Sequence, residues 1–156
     1  MPPHTPARTG LEIDHANHTL RFVRSFDAPA DLVFKAWTTA EHVRCWWDAA
    51  GGPLTVCEID LKVGGAFRFV SPNHPDMPFT GVYLEITPPS KLVFEAMNST
   101  GRVLFTGAGG KTRMTVEIDC RTAEHLERFL QMGVDAGTSQ TLDNLVAYIQ
   151  RQDVLA

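Results

Sequence analysis

Residues 111–119 read KTRMTVEID, a stretch that alternates along its length between two chemical characters. Thr112, Met114, Val116 and Ile118 occupy every second position, and the remaining positions are all charged or polar. Successive side chains of a β-strand lie on opposite faces of its sheet. This period of two therefore predicts a strand that has one buried face and one solvated face.

Segments with strand character recur upstream of residue 111 and are joined by short turns rich in glycine, proline, asparagine and serine. We predict strands at HTLRFVRSF (18–26), TVCEIDLKV (55–63), AFRFV (66–70), FTGVYLEIT (79–87), KLVFEAM (91–97) and RVLFT (102–106). Parallel neighbours would need a crossover of roughly a dozen residues, which these turns do not provide. The sequence therefore predicts an antiparallel sheet of about six or seven strands, and one of its faces needs an apolar cover.

Two short helices are predicted after the first strand. Residues 30–37 carry apolar side chains at helical spacing, Pro29 suits a helix start, and Asp27 is available as a cap. A second helix is expected from Ala40 to about Trp47. Its two adjacent tryptophans cannot both point inward, so one of them is expected to line a pocket or an interface.

The cover for the sheet is predicted at the C-terminus, where residues 123 to about 152 contain no proline. These residues predict a long helix that is broken near Gln131. At about 100° per residue, the inward stripe of this helix consists of Val134, Thr138, Leu142, Leu145 and Ile149. The leucine-rich half of the stripe is expected to pack onto the sheet.

The first half of the same helix has a different character. Gly133, Asp135, Gly137 and Thr138 are small or polar where a packed core would have large side chains. This pattern indicates a cavity between helix and sheet, although a close approach of two backbones would give the same pattern. The predicted ligand site consists of Trp37, Trp46, Phe67, Phe69, Phe79, Tyr83, Phe94, Val134, Asp135, Thr138 and Leu142.

The composition is that of an ordinary globular protein of 156 residues, 44% hydrophobic and 21% charged. We predict a flexible leader at residues 1–16, which are polar and rich in proline, and a single domain at residues 17–152. The net charge of −4 offers no basic surface for nucleic acid or anionic lipid. No apolar run approaches the roughly 20 residues that span a bilayer. From the charge and the missing apolar run together, neither nucleic acid nor a membrane is expected as a partner.

The cysteines and histidines predict neither a disulfide framework nor a metal site. Cys45, Cys57 and Cys120 are odd in number and far apart, and we expect them to be small buried hydrophobic residues. The N-terminus has no signal-peptide core, so a cytoplasmic location is expected. The six histidines are scattered without metal-ligand spacing, so no metal and no other cofactor are predicted.

Five segments resemble, in the same order, bacterial proteins similar to the activator of heat-shock protein 90 ATPase, a family of the START-like superfamily. These segments are FDAPADLVFKAWTTAEHVRCWW (26–47), EIDLKVGGAFRF (58–69), GVYLEITPPSKLVF (81–94), GGKTRMTV (109–116) and MGVDAGTSQTLDNLVAYI (132–149). The resemblance implies a START-like helix-grip fold of the α+β class. In that fold a curved antiparallel sheet wraps round a long C-terminal helix and encloses an apolar cavity.

One position departs from the pattern of this family. Gly133, Val134, Asp135 and Gly137 fit the helix motif, but Thr138 stands where the family usually has a tryptophan. Because threonine is smaller than tryptophan by most of an indole ring, we expect a larger cavity at this position.

Three functions are compatible with the sequence. The leading hypothesis is that the cavity binds a small hydrophobic molecule, apolar or aromatic, and a homodimer is also compatible. An enzyme of polyketide-cyclase or hydrolase type is an alternative, with Asp135 or a tyrosine as its catalytic group and Asp135 as a candidate general base. The competing explanation of Asp135 is a solvated helix residue or the partner of an arginine such as Arg24. The resemblance implies a third function, a co-chaperone-like stress protein that acts on heat-shock protein 90.

Overall fold

The computed structural model describes residues 11–155, with side chains described up to residue 151. Within this range the strands are β1 (Leu11–Asp14), β2 (Thr19–Phe26), β3 (Val56–Ile59), β4 (Ala66–Val70), β5 (Phe79–Thr87), β6 (Lys91–Ala96), β7 (Ser99–Ala108) and β8 (Lys111–Asp119). The helices are α1 (Ala30–Thr38), α2 (Ala40–Trp46), α3 (Ala123–Gln131) and α4 (Val134–Leu155). The predicted α+β class, with a sheet round a long C-terminal helix, is confirmed.

All of these strands belong to one antiparallel sheet in the order β1-β2-β8-β7-β6-β5-β4-β3. From β3 to β8 the chain forms a meander, in which each strand pairs with the next along the sequence. The order is interrupted once, because β2 pairs with β8 and Phe22 lies opposite Val116. This pairing brings the N-terminal part of the chain beside the strand that leads into α3 and α4.

The edges of the sheet differ from the prediction in two places. The predicted leader includes Leu11–Asp14, but these residues pair with β2, so the sheet has eight strands. Residues 1–10 of that leader lie outside the described residues. The strand predicted at 55–63 ends at Ile59, because the chain turns there and the Asp60 N–H bonds to the Ala66 carbonyl at 3.0 Å.

Helices α1 and α2 follow β2 almost without interruption. Pro29 occupies the N-cap position of α1, so the predicted cap at Asp27 is wrong. The two helices are joined by a hydrogen bond in which the indole N–H of Trp46 donates to the Ala36 carbonyl at 3.0 Å. This contact satisfies the one polar atom of a tryptophan that is otherwise fully buried in the core.

Charged side chains on β2, β7 and β8 pair with one another across the sheet. Arg21 contacts Glu117 at 2.9 Å, and Arg102 contacts the other oxygen of the same carboxylate at 3.3 Å. These residues alternate with buried neighbours such as Phe22, Val103 and Val116. The predicted division into a polar and an apolar face is therefore confirmed, and only the apolar face needs a cover.

Helix α4 covers the apolar face of the sheet and packs beside β2. Leu142, Leu145 and Ile149 are at most 2% exposed, so this half of the predicted inward stripe is confirmed. The Arg24 guanidinium of β2 reaches α4, where it contacts the Asp143 carboxylate at 3.0 Å and the Ser139 hydroxyl at 2.8 Å. Within residues 11–155, no helix is long and apolar enough to cross a membrane.

The C-terminal helical region is broken between Gln131 and Val134, as the sequence predicts. Gly133 adopts a φ of +77°, in the left-handed region that side chains disfavour. The Gly133 carbonyl then accepts the first hydrogen bond of α4, from the Gly137 N–H at 2.9 Å. This turn therefore separates α3 from α4.

Truncating Leu145 to alanine is expected to lower the free energy of unfolding by about 2–5 kcal/mol. Leu145 is fully buried, so its truncation would leave a cavity in a packed core. Chemical denaturation followed by circular dichroism measures this loss. The control is Gln150→Ala on the exposed face of α4, which should change stability by less than about 0.5 kcal/mol. Equal effects of the two variants would show that α4 is misplaced.

Alanine at the two glycines of the α4 start should shift stability in opposite directions. Gly133→Ala is expected to destabilise the protein by about 1–2 kcal/mol, because φ is +77° there. Gly137→Ala should stabilise it by about 0.5–1 kcal/mol, since this helical position has open space for a methyl group. Thermal denaturation of both variants tests this, and a stabilising Gly133→Ala would refute the helix break.

Candidate functional site

A cavity of about 680 Å³ lies between the sheet and the helices. Strands β5 to β8 form its floor, α3 and α4 form its roof, and the segment after α2 closes one side. The residues that line it are Trp37, Trp47, Asp48, Ala49, Ala50, Ser71, His74, Phe79, Phe94, Ala96, Met97, Ser99, Gly101, Val116, Ile118, Phe129, Val134, Gly137, Thr138, Thr141 and Leu142. Most of these side chains are apolar, which is typical of a small-molecule site.

Trp47 is the centre of the aromatic wall of the cavity. Its ring lies 5.2 Å from that of Phe79 and 6.2 Å from that of Trp37, centroid to centroid. A further contact at 4.9 Å joins Trp47 to Phe69 behind the wall. Edge-on and tilted contacts of this kind are favourable for aromatic rings, so the wall is rigid and pre-formed.

The floor of the cavity depends on a glycine opposite an aromatic ring. Phe94 on β6 pairs across the strands with Gly101 on β7. A Cβ atom at Gly101 would lie only 2.5 Å from the Phe94 ring, so the ring lies flat over the glycine. This arrangement keeps the bulk of Phe94 against the sheet and leaves the space above it open.

Two loops that carry polar side chains meet at the cavity. Asp48 follows α2 and is only 8% exposed. One of its carboxylate oxygens accepts a hydrogen bond from the Ala50 N–H at 3.0 Å, and the other accepts one from the Ser71 hydroxyl at 2.7 Å. The Asn73 amide adds a longer contact to the second oxygen, at 3.4 Å. The carboxylate therefore joins residues 47–51 to residues 71–73.

The same segment is tied to the roof of the cavity. The Thr141 hydroxyl of α4 donates to the Trp47 carbonyl at 3.0 Å, and the Asn144 amide donates to the Asp48 carbonyl at 3.0 Å. Both backbone carbonyls lie just beyond the end of α2, and the Asp48 carbonyl also accepts a hydrogen bond from the Gly51 N–H at 2.8 Å. These bonds fix the position of Trp47 and Asp48 relative to α4.

The cavity contains part of the predicted ligand site. Among the predicted residues, those that line it are Trp37, Phe79, Phe94, Val134, Thr138 and Leu142. Phe67, Phe69 and Tyr83 lie beside it and line a separate recess of about 10 Å³ together with Trp37 and Trp47. Burial raises the pKa of the Tyr83 hydroxyl far above its usual range, so this group stays protonated.

Two predicted site residues do not line the cavity. Trp46 is 1% exposed and belongs to the core, whereas its neighbour Trp47 lines the cavity. Asp135 lies half-buried in the first turn of α4, but it is not part of the lining. The carboxylate that the sequence offers as a general base is therefore not among the groups that line the cavity.

The polar loop residues of the cavity could not be identified from sequence. Asp48, Ser71 and His74 lie in loops, and more than twenty residues separate Asp48 from Ser71. For Trp47 the sequence did give an indication, because one of two adjacent tryptophans has to leave the core. It did not indicate whether Trp46 or Trp47 does so.

The three thiols differ in their surroundings. Cys120 is buried and Cys57 is half-buried, but Cys45 is exposed, so the prediction that all three are buried is wrong for Cys45. Burial raises the pKa of Cys57 to about 11, and this makes its thiol a poor nucleophile at neutral pH. Among residues 11–151, no three histidine, cysteine or acidic side chains are grouped to hold a metal ion.

Residues 27–150 match the family of activator of Hsp90 ATPase homolog 1-like proteins, and this match covers most of the chain. No curated protein matches the sequence at a significant level. The helix motif, the tryptophan-containing segment and the strands that form the cavity all lie inside the matched range.

Several solved bacterial structures have the same fold. A protein from Rhodobacter sphaeroides superposes with a TM-score of 0.79 at 20% identity, over 90% of this chain and 97% of the other. A protein from Mycobacterium smegmatis gives a TM-score of 0.78 at 22% identity, over 91% and 97%. One from Nitrosomonas europaea gives 0.78 at 22% identity, over 87% and 96%. At such identities the likeness shows the fold alone.

Replacing Gly101 by alanine is expected to shrink the cavity. The new methyl group would meet the Phe94 ring at 2.5 Å, so the ring must rotate off the sheet and into the open space. A crystal structure of the variant would show the displacement. Gly137→Ala is the control, because its methyl group meets no atom within 4 Å and should leave the ring in place. An unmoved Phe94 in Gly101→Ala would contradict this account of the floor.

Proposed function

Because the chain belongs to the family of activator of Hsp90 ATPase homolog 1-like proteins, with a match over residues 27–150, we propose that it shares a cavity-based function and binds a small apolar or aromatic molecule. The observation that carries the proposal is the aromatic cavity of about 680 Å³ between sheet and helices. Ligand sites in proteins commonly measure about 300–1,000 Å³ and are lined mostly by apolar side chains.

The packing of the rest of the protein supports this proposal. Protein interiors are normally filled to the density of organic crystals, and empty apolar space forfeits dispersion contacts. Here the opposite half of α4 is tightly packed, with Leu145 and Ile149 almost fully buried. The open half carries Gly137 and Thr138 instead, and a methyl group at Gly137 would meet no atom within 4 Å. A ligand would fill the space that these small residues leave.

The walls of the cavity favour a flat, aromatic body in the ligand. Trp37, Trp47, Phe79, Phe94 and Phe129 present rings to the open space from the floor, one side and the roof. Such rings gain more from an aromatic partner than from an aliphatic one of equal area, because edge-to-face and offset contacts add to burial.

The cavity also reaches solvent. Ala49, Ala50, His74 and Met97 line the cavity and are themselves exposed, so they mark where it opens. A ligand can therefore enter without unfolding of the sheet or of α4.

The other two functions predicted from the sequence have less support in the structure. A cyclase or hydrolase needs a catalytic group at the cavity, and Asp135, its candidate general base, lies outside the lining. A role on heat-shock protein 90 rests on the resemblance to the family alone.

Titration with N-phenyl-1-naphthylamine, a neutral aromatic probe that fluoresces in apolar surroundings, tests the proposal. Saturable binding in the micromolar range is expected, because the cavity can bury most of such a molecule. Native mass spectrometry of the freshly purified protein would show any ligand that is retained during purification. No saturable probe binding, together with a protein that is free of retained ligand, would refute the proposal.

Thr138→Trp is expected to weaken binding of this probe by at least about tenfold and to preserve or raise the thermal midpoint. The indole would occupy the cavity space next to Thr138 and bury apolar area there. The control is Gln150→Trp, an exposed position of α4 outside the lining, which adds the same side chain without filling the cavity. Unchanged probe binding in Thr138→Trp would place the binding site elsewhere.

A further inference from the structure

We propose that the ligand is amphipathic, with a cationic or hydrogen-bond-donating head group beside Asp48, and that the cavity discriminates against carboxylates and other anions. This inference rests on the proposed function and adds the chemical class of the ligand. It is drawn from the charges that line the cavity and from the way in which Asp48 is held.

The charge of the lining is one-sided. Among the described residues that line the cavity, Asp48 and His74 are the only side chains that titrate, and none is a lysine or an arginine. An anionic head group would therefore enter a site that holds a carboxylate but no fixed positive charge. Repulsion between like charges grows in a cavity from which the ligand excludes water, because the local dielectric constant falls.

Asp48 is buried without a counter-ion. The groups that donate to its carboxylate are the Ala50 N–H, the Ser71 hydroxyl and the Asn73 amide, all of which are neutral. None of the ion pairs formed within residues 11–151 includes Asp48. Buried carboxylates in proteins are usually paired with a cation or a metal ion. A cationic head group in the cavity would supply the missing positive charge.

The charged and the apolar parts of the lining lie on different elements, and this arrangement orients a ligand. Asp48 and Ser71 lie on the two loops beside the exposed residues Ala49, Ala50 and His74. The lining residues of β8 and α3 are all apolar: Val116, Ile118 and Phe129. A molecule with an apolar body and one polar end fits this arrangement when its polar end stays at the loops.

A purely structural role for Asp48 makes a different prediction. If the carboxylate served only to hold the loops together, its removal would lower stability without changing the order in which ligands of different charge bind. Measurements of ligand preference therefore separate the two roles, whereas measurements of stability alone do not.

The test uses three molecules that share one aromatic body: 2-(2-naphthyl)ethylamine, 2-(2-naphthyl)ethanol and the carboxylate anion of 2-naphthylacetic acid. Their affinities are obtained by displacement of N-phenyl-1-naphthylamine at pH 8 and low ionic strength. We expect the wild-type protein to bind the amine at least about tenfold more tightly than the carboxylate, with the alcohol between them. Added salt should weaken the binding of the amine and leave the affinity for the alcohol unchanged.

Asp48→Asn should remove most of this preference, because the amide keeps the shape of the side chain and loses its charge. Asp135→Asn is the matched control, since this carboxylate of α4 does not line the cavity and its loss should leave the preference intact. His74→Asn shows whether the second titratable group of the lining contributes. If Asp48→Asn does not fold, the order of the three affinities in the wild-type protein decides the question.

The outcomes separate this inference from the proposed function. Equal binding of amine and carboxylate to the wild-type protein, or a preference that survives in Asp48→Asn, would overturn the head-group assignment and leave apolar binding in place. A protein that binds none of the naphthyl compounds and no probe would instead refute the proposed function itself.

Discussion

The packing of α4 against β2 is the contact on which the rest of the structure depends. The buried residues Leu142, Leu145 and Ile149 cover the apolar face of the sheet, and Arg24 connects the two elements through Ser139 and Asp143. Once this half of the helix is fixed, its other half must lie over the remaining part of the sheet. That half carries the small residues Gly137 and Thr138, so the space between helix and sheet remains unfilled.

A second constraint comes from the loops that close the cavity. A buried carboxylate is costly unless its oxygens accept hydrogen bonds and a cation balances its charge, and Asp48 obtains the hydrogen bonds by joining its own loop to Ser71 and Asn73. Hydrogen bonds from Thr141 and Asn144 then attach the same segment to α4. The cavity, its aromatic wall and its one buried charge are therefore held in place by the same set of contacts.

The limits of the sequence-based prediction are physical. Strand β1 alternates between apolar and charged residues but has only four residues at the edge of the sheet, so its pairing with β2 decides its structure. The ring of Phe94 lies flat because Gly101 is opposite, a relation between residues on different strands. Phe67, Phe69 and Tyr83 were placed on the correct face of the sheet, but other rings separate them from the main cavity. Periodicity predicts the face of the sheet on which a side chain lies. It does not predict which side chains of other elements pack over that face.

The sequence by itself determined the antiparallel sheet, the broken C-terminal helix and the apolar stripe that covers the sheet, because each follows from the period of nearby residues. It also placed small residues in one half of that helix, where the cavity lies. Only the tertiary structure decided that Trp47 lines the cavity and Trp46 does not, and that Asp48 meets Ser71. These relations depend on where α2 ends and on how two distant loops meet, and no local pattern encodes either.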